Sequence, residues 1–277
     1  MSTRRRARLP EQAGGAPRRV HTERSARVVA AVKLHRHVAR RRAQRFLAEG
    51  PNLVQAASAR GLVRDVFVTE AAAQRHAGLI AGQQAPVHLV TERAAKALSD
   101  TVTPVGLVAV CEPPIVGLPD VLDAAPKLIA AAVEISEPGN AGTLIRIADA
   151  MGAAAVIFGG SSVDPYNGKC LRASAGSIFT IPVVVAPEAG ALLDELRAAG
   201  LQLLAAAVDG ELSLDEAGSL LSKPTAWLFG PEAQGLPADV AAAADHRVHI
   251  PMRGGAESLN VAAAAAICLY QSARALN

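Results

Sequence analysis

The sequence predicts an α/β protein built as two domains, and three observations carry that prediction. Short apolar runs recur with amphipathic stretches between them, the pattern of buried, mainly parallel strands separated by covering helices. Residues 112–126 lack periodicity and hold Pro113, Pro114, Pro119 and Pro126, so they read as a linker. Charge is polarised along the chain. Residues 1–60 hold fourteen Arg and one Lys against three Glu, a net of +12, so the remainder carries −9 within a total of +3. A front end this basic is expected to meet a polyanion, and nucleic acid is the natural choice.

Composition removes several classes. Half of the chain is hydrophobic (51%) but only 3% is aromatic, and Ala, Val and Leu dominate, which suits helices packed on buried strands. No uninterrupted apolar run reaches the roughly eighteen residues of a membrane span. The arginines near the N-terminus are not followed by an apolar stretch, so no secretory signal is expected. Cys111, Cys170 and Cys268 are odd in number and far apart, which fits neither a disulfide framework nor a zinc site and predicts reduced thiols in the cytoplasm. The pairs His35/His37 and His246/His249 have no ligand cluster around them, and no metal is expected.

Taken in order, residues 1–22 are rich in Arg, Gly and Pro and are expected to form a disordered basic tail. The first domain, 23–111, is predicted as helix 23–37, strand 46–48, helix 51–59 with Pro51 at its first position, and strand 63–68. Helix 70–81, strand 87–90, helix 91–98 and strand 105–110 complete it. Arg40, Arg41, Arg42 and Arg45 lead directly into this ordered sequence and are expected to contact nucleic-acid phosphates, which guanidinium groups bind bidentately. The second domain, 127–277, alternates strand 128–135, a helix ending near Met151, strand 155–158, helix 168–176, strand 181–185, helix 189–199 and strand 201–208. Strand 226–229 follows. The last strand, 246–250, is stopped by Pro251, and Ser258 stands where the N-cap of an alanine-rich helix belongs.

Three loops at carboxyl ends of strands, 136–146, 229–236 and 251–260, carry glycines and one unusual polar group each: Asn140, Glu232 and Asn260. Open α/β sheets bind ligands at such ends. Arg146 stands among the apolar Leu144, Ile145 and Ile147, either as a site cation or as a solvent-face arginine with its stem on apolar surface. Ser258 and Asn260 read equally as loop and cap residues. No G-x-G-x-x-G follows a first strand and no G-x-x-x-x-G-K-[ST] is present, which disfavours dinucleotide and nucleoside-triphosphate sites.

The three loops resemble the SpoU family of SPOUT RNA methyltransferases. The family's first motif stands as Pro138-Gly139-Asn140-Ala141-Gly142-Thr143-Leu144-Ile145-Arg146, its second as Gly230-Pro231-Glu232-Ala233-Gln234-Gly235-Leu236, and its third as Ile250-Pro251-Met252 through Ser258-Leu259-Asn260-Val261. The stretch 23–111 is similar to a small α/β/α RNA-binding domain, through Phe46-x-x-Glu49-Gly50 and Leu98-Ser99-Asp100-Thr101-x-Thr103-Pro104-x-Gly106. The resemblance implies a SPOUT trefoil-knot domain, an exception to the rule against knotted chains. It implies 2′-O-ribose methylation of RNA with S-adenosylmethionine, most closely of 23S ribosomal RNA as in the thiostrepton-resistance type. A tRNA substrate, or a non-catalytic RNA-binding or ribosome-assembly role on the same fold, are the alternatives. Carried over by position, Gly230, Ile250, Met252 and Leu259 line the cofactor pocket, Arg146 with Asn140, Glu232, Ser258 and Asn260 forms the catalytic group, and members are homodimers. Arginine accepts a proton poorly, so Arg146 is expected to grip a phosphate and stabilise alkoxide charge.

Overall fold

The computed structural model describes residues 20–231 and 234–276. The chain divides into two compact units, one of residues up to 114 with 166–168, the other of 115–165 with 169 onward.

The first unit opens with the helix Ala26–Val32, continued by a tight turn at Lys33–His35. A separate helix, His37–Ala43, carries the arginine triplet and ends where Gln44 takes a left-handed conformation at φ 50°. The single helix expected over 23–37 is thus split, with the basic residues on an element of their own. Strands β1 (Phe46–Glu49), β2 (Val63–Val68), β3 (Val87–Leu89) and β4 (Leu107–Cys111) form a sheet of order β1-β4-β2-β3. In it β4 runs antiparallel to both β1 and β2, while β3 is parallel to β2. Pro51 starts the helix Pro51–Ala59 as expected. Thr69 and Thr91 cap the helices Glu70–Arg75 and Glu92–Leu98 by accepting the Ala72 and Ala94 amide protons, each at 3.2 Å. The core gathers Val28, Leu34, Phe67, Leu98, Val108 and Val110. Both cues of the RNA-binding resemblance meet here: the Glu49 carboxylate accepts hydrogen bonds from Ser99 Oγ at 2.5 Å and Thr101 Oγ1 at 3.0 Å. The end of the expected tail is tied to the sheet, since His21 N–H donates to Leu89 O at 2.8 Å and Thr91 N–H to His21 O at 3.0 Å. Residues 1–19, the rest of that tail, lie outside the described residues.

The second unit holds β5 (Leu128–Val133), β6 (Ala155–Gly159), β7 (Val183–Ala186), β8 (Gln202–Ala206), β9 (Leu212–Ser213), β10 (Thr225–Phe229) and β11 (His246–His249). Their order is β7-β6-β5-β10-β8-β11-β9, and every pairing is parallel. The central strands β5, β6 and β10 are buried along their whole length, which is why they read as continuous apolar runs. The C-terminal helix Val261–Leu276 returns to this centre: the fully buried Trp227 donates its indole N–H to the equally buried Ser272 Oγ at 2.8 Å. Part of the stretch expected as linker is folded. Leu118–Leu122 is a short helix, and its Leu118 and Val121 belong to the core cluster that includes Ile129, Leu203 and Leu228. The strand β9 and the helices Gly218–Leu221 and Ala238–Ala243 were not anticipated. Because all pairs are parallel, the strand carboxyl ends share one edge, and the three motif loops emerge there.

Candidate active site

The first motif loop becomes the start of the helix Pro138–Ala150. Glu137 precedes it, and its Oε2 accepts the Asn140 backbone N–H at 2.7 Å while Oε1 pairs with Lys169 Nζ. The Lys169 ammonium, reinforced by the Asn140 amide, holds the Glu137 carboxyl below its ordinary range. Gly142 is required by a close approach: a Cβ there would lie 2.2 Å from the Cys170 carbonyl oxygen and 2.7 Å from Ala173 Cβ. The motif glycine therefore lets the helix Gly168–Ser174 pack directly against the first turns of Pro138–Ala150.

Asn140 and Asn260, 120 residues apart, are joined by their side chains, Asn260 Nδ2 donating to Asn140 Oδ1 at 3.1 Å. The other end of the Asn260 amide faces the C-terminal helix, its Oδ1 accepting the amide protons of Ala262 at 3.0 Å and Ala263 at 3.4 Å. The helix begins at Val261, so Asn260 and not Ser258 is its N-cap. The expectation for Ser258 is corrected: it is exposed and lines a cavity instead.

That cavity measures about 940 Å³, within the usual range for small-molecule sites. Gly230, Ile250, Met252 and Leu259, the four residues carried over as cofactor wall, all line it, together with Phe229 and Leu236. Gly230 admits no side chain, because a Cβ would meet Leu236 N at 2.5 Å and the Gly235 carbonyl carbon at 2.6 Å. The one Arg or Lys on the described wall, Arg247, is occupied by carboxylates: Nε donates to Glu211 Oε2 and Nη1 to Asp209 Oδ2, both at 3.1 Å. Its amide N–H also donates to Glu211 Oε1 at 2.9 Å, and His249 Nδ1 donates to Gly210 O at 2.8 Å. The loop 209–211 is thereby fastened to β11. Sequence reasoning missed Asp209, Glu211 and Arg247, as well as Glu137 and Lys169. Only Glu137, an acid just ahead of a Pro-initiated helix, left a signal that could have been read.

Arg146 is exposed on Pro138–Ala150 and makes no hydrogen bond or ion pair among the described residues. Glu232 lies outside the described residues. The four N-terminal arginines divide. Arg41 and Arg42 are exposed, and Arg45, also exposed, pairs with Glu112 at 3.4 Å. Arg40 is buried, with Nη1 donating to Leu34 O at 3.0 Å and His35 O at 2.9 Å, so its expected role as a phosphate ligand is corrected to tying the preceding turn to its helix. Cys111, Cys170 and Cys268 are free and buried, and burial pushes each thiol up to about 12. Among the described residues no group of three His, Cys, Asp or Glu could hold a metal ion, and no helix is long and apolar enough to cross a membrane.

A parallel sheet with a largely apolar pocket at its carboxyl edge, walled in part by glycine loops, defines an α/β domain with a small-molecule site. The chain belongs to the SpoU rRNA methylase family, which it matches over residues 127–270; residues 26–109 match the MRM3-like substrate binding domain. It is 35% identical over 239 residues to the 23S rRNA (guanosine(2553)-2′-O)-methyltransferase RlmP of Bacillus subtilis, covering 86% of this chain and 92% of that one. Among solved structures it is similar to the SpoU methyltransferase AviRb of Streptomyces viridochromogenes in complex with AdoMet, with TM-score 0.79, 30% identity, and coverage of 90% and 98%. The AdoMet-bound rRNA methyltransferase of Sinorhizobium meliloti gives TM-score 0.78 and 30% identity over 93% of this chain and 99% of that one. The second unit accordingly has the SPOUT α/β trefoil-knot methyltransferase fold, preceded by a small α/β substrate-binding domain.

Proposed function

We propose that the chain methylates ribose 2′-hydroxyl groups of 23S ribosomal RNA, with S-adenosylmethionine as donor, as a homodimer in the cytoplasm. The observation that carries this reading is the conjunction of the 940 Å³ cavity with the Asn140–Asn260 bridge, since it brings residues of the first and third motifs to one edge of the sheet. The relatives named above supply the substrate class.

The cavity suits the cofactor. Its walls are apolar at Phe229, Leu236, Ile250 and Leu259, Arg247 and Asp209 are paired with each other, and Glu257 is the one other described wall carboxylate. The described wall thus offers a nucleotide polyphosphate no unpaired Arg or Lys and suits an adenosyl compound carrying a positive charge. Gly230, Ile250, Met252 and Leu259 would hold the adenosyl part. Bound S-adenosylmethionine supplies an electrophilic sulfonium methyl group. The chain's own contribution is positioning and charge. Arg146, with no partner among the described residues, grips the phosphate beside the target and stabilises negative charge developing on the 2′-oxygen. Asn140 and Asn260, locked together, hold the loop that meets the target nucleotide, with Ser258 on the pocket rim and Glu232 orienting Arg146 or the ribose. Splaying the nucleotide demands an RNA loop or junction. Arg41, Arg42 and Arg45 supply phosphate contacts in the first unit.

Incubating the protein with 23S rRNA and tRNA and labelled donor, then mapping low-dNTP reverse-transcription stops, tests this. A stop in 23S rRNA alone is expected; label in tRNA alone, or none, overturns it. Light scattering checks the dimer, for which the exposed Ile267 and Tyr270 on the C-terminal helix offer an apolar surface. Three free thiols support the cytoplasm.

A further inference from the structure

Glu137 and Lys169 stand outside every residue given a role above, yet their pair touches the centre of the site. We infer that the Glu137–Lys169 pair is the positioning device of the Asn140–Asn260 bridge, an inference that rests on the methyltransferase reading.

The two oxygens of Glu137 do different work. Oε2 accepts the Asn140 backbone N–H at 2.7 Å and so fixes the turn from which the Asn140 side chain leaves. Oε1 pairs with Lys169 Nζ, which favours this orientation of the carboxylate. Lys169 is itself mounted on a rigid support, because the helix Gly168–Ser174 sits on Pro138–Ala150 through the close Gly142–Cys170 approach. Glutamate is not among the favoured N-cap residues. Its longer side chain must fold back over the helix start, and Gly139 leaves the room: a Cβ at 139 would lie 2.7 Å from Glu137 Oε2. The order continues from Asn140 Oδ1 to Asn260 Nδ2 at 3.1 Å, and from Asn260 Oδ1 to Ala262 N at 3.0 Å. Lys169, Glu137, Asn140 and Asn260 thus form one line of polar contacts joining three distant chain segments. Neither Glu137 nor Lys169 lines the cofactor cavity, so disturbing the pair leaves that wall in place.

The test uses the full chain and 23S rRNA, with kcat and the RNA KM from methyl transfer, S-adenosylmethionine Kd from calorimetry, and Tm from circular dichroism. Glu137→Ala removes the carboxylate, and Gly139→Ala displaces it without changing any charge. Both are expected to lower kcat about 10- to 100-fold while KM and Kd stay within about twofold. Glu137→Gln keeps an acceptor for the Asn140 N–H but loses the ion pair with Lys169, so it is expected to fall between Glu137→Ala and the unaltered protein, as is Lys169→Met. Wild-type kcat in Glu137→Ala and Gly139→Ala would sink the positioning role while leaving the methyltransferase reading intact. A parallel collapse of kcat, Kd and Tm in both would reduce the pair to a fold element and also overturn it. If the unaltered protein neither binds S-adenosylmethionine nor transfers methyl, the functional reading itself is what fails.

Discussion

The two sheets of this molecule put their working groups in different places for a topological reason. In the first unit, antiparallel pairings of β4 with β1 and β2 send strand ends in both directions, and the groups proposed to meet RNA are arginines on and just after a helix. In the second, seven parallel strands deliver their carboxyl ends to one edge, where loops far apart in sequence meet around a cavity. Binding a polyanion needs exposed charge and tolerates variation in position. Methyl transfer needs a few groups held within fractions of an ångström, and a parallel sheet collects them. Substitutions in the first unit should therefore change affinity by degrees, while those in the second should act sharply.

The sharpest expected effect is at Arg146. Arg146→Ala should lower kcat by about 10²- to 10³-fold, the scale for losing one preorganised charge donor at a developing oxyanion. Arg146→Lys should recover little, because it keeps the charge and loses the planar fork. Single-turnover methyl transfer checks both, and near-normal turnover in the pair would remove Arg146 from the mechanism. Next is Gly142→Ala, whose added methyl meets the Cys170 backbone oxygen at 2.2 Å. Overpacking against backbone should cost about 1–3 kcal/mol, read as a lowered urea midpoint, and should carry a loss of activity with it as the two helices move apart. Ser272→Ala leaves the Trp227 indole N–H buried without an acceptor, at about 1–3 kcal/mol. Unlike Gly142→Ala it should spare the kcat of the folded fraction. A drop in kcat with unchanged stability would contradict that division.

Where local signals were strong the sequence was legible. Phe46–Glu49, Pro51–Ala59 and Val63–Val68 lie within a residue of expectation because apolar alternation and a proline at the first helical position bracket them. The fully buried strands of the second unit were equally plain. Ser258 was misread because Leu259 and Val261 run on into the alanine-rich stretch as if all were one apolar helix. Leu259 in fact faces the cavity while only Val261 begins the helix, so the cap falls to Asn260. Leu118–Leu122 hid among prolines, and one of them, Pro119, sits in its first turn, where proline is compatible with a helix. The strand β9 has two residues and no periodicity to detect. The Glu137–Lys169 pair joins positions 32 apart, a distance over which no local pattern operates.

The arginine triplet is where the comparison is most finely drawn. Successive helical residues point about 100° apart, so neighbours in a row can meet different surroundings. Here Arg40 turns inward and binds Leu34 O and His35 O, while Arg41 and Arg42 remain exposed. Arg40→Met should thus leave the Leu34 and His35 carbonyls, the first on a buried residue, short of a donor and cost about 1–3 kcal/mol of stability, with the salt dependence of RNA binding unchanged. Arg41→Ala should do the reverse. Stability stays within about 0.5 kcal/mol, and the slope of log K against log salt falls by about 0.7–0.9 as one phosphate contact is lost. Filter binding across a salt series, paired with thermal melts, separates the two. Equal salt slopes for Arg41→Ala and the unaltered protein would take Arg41 out of the RNA interface, and a reduced slope in Arg40→Met would return Arg40 to it.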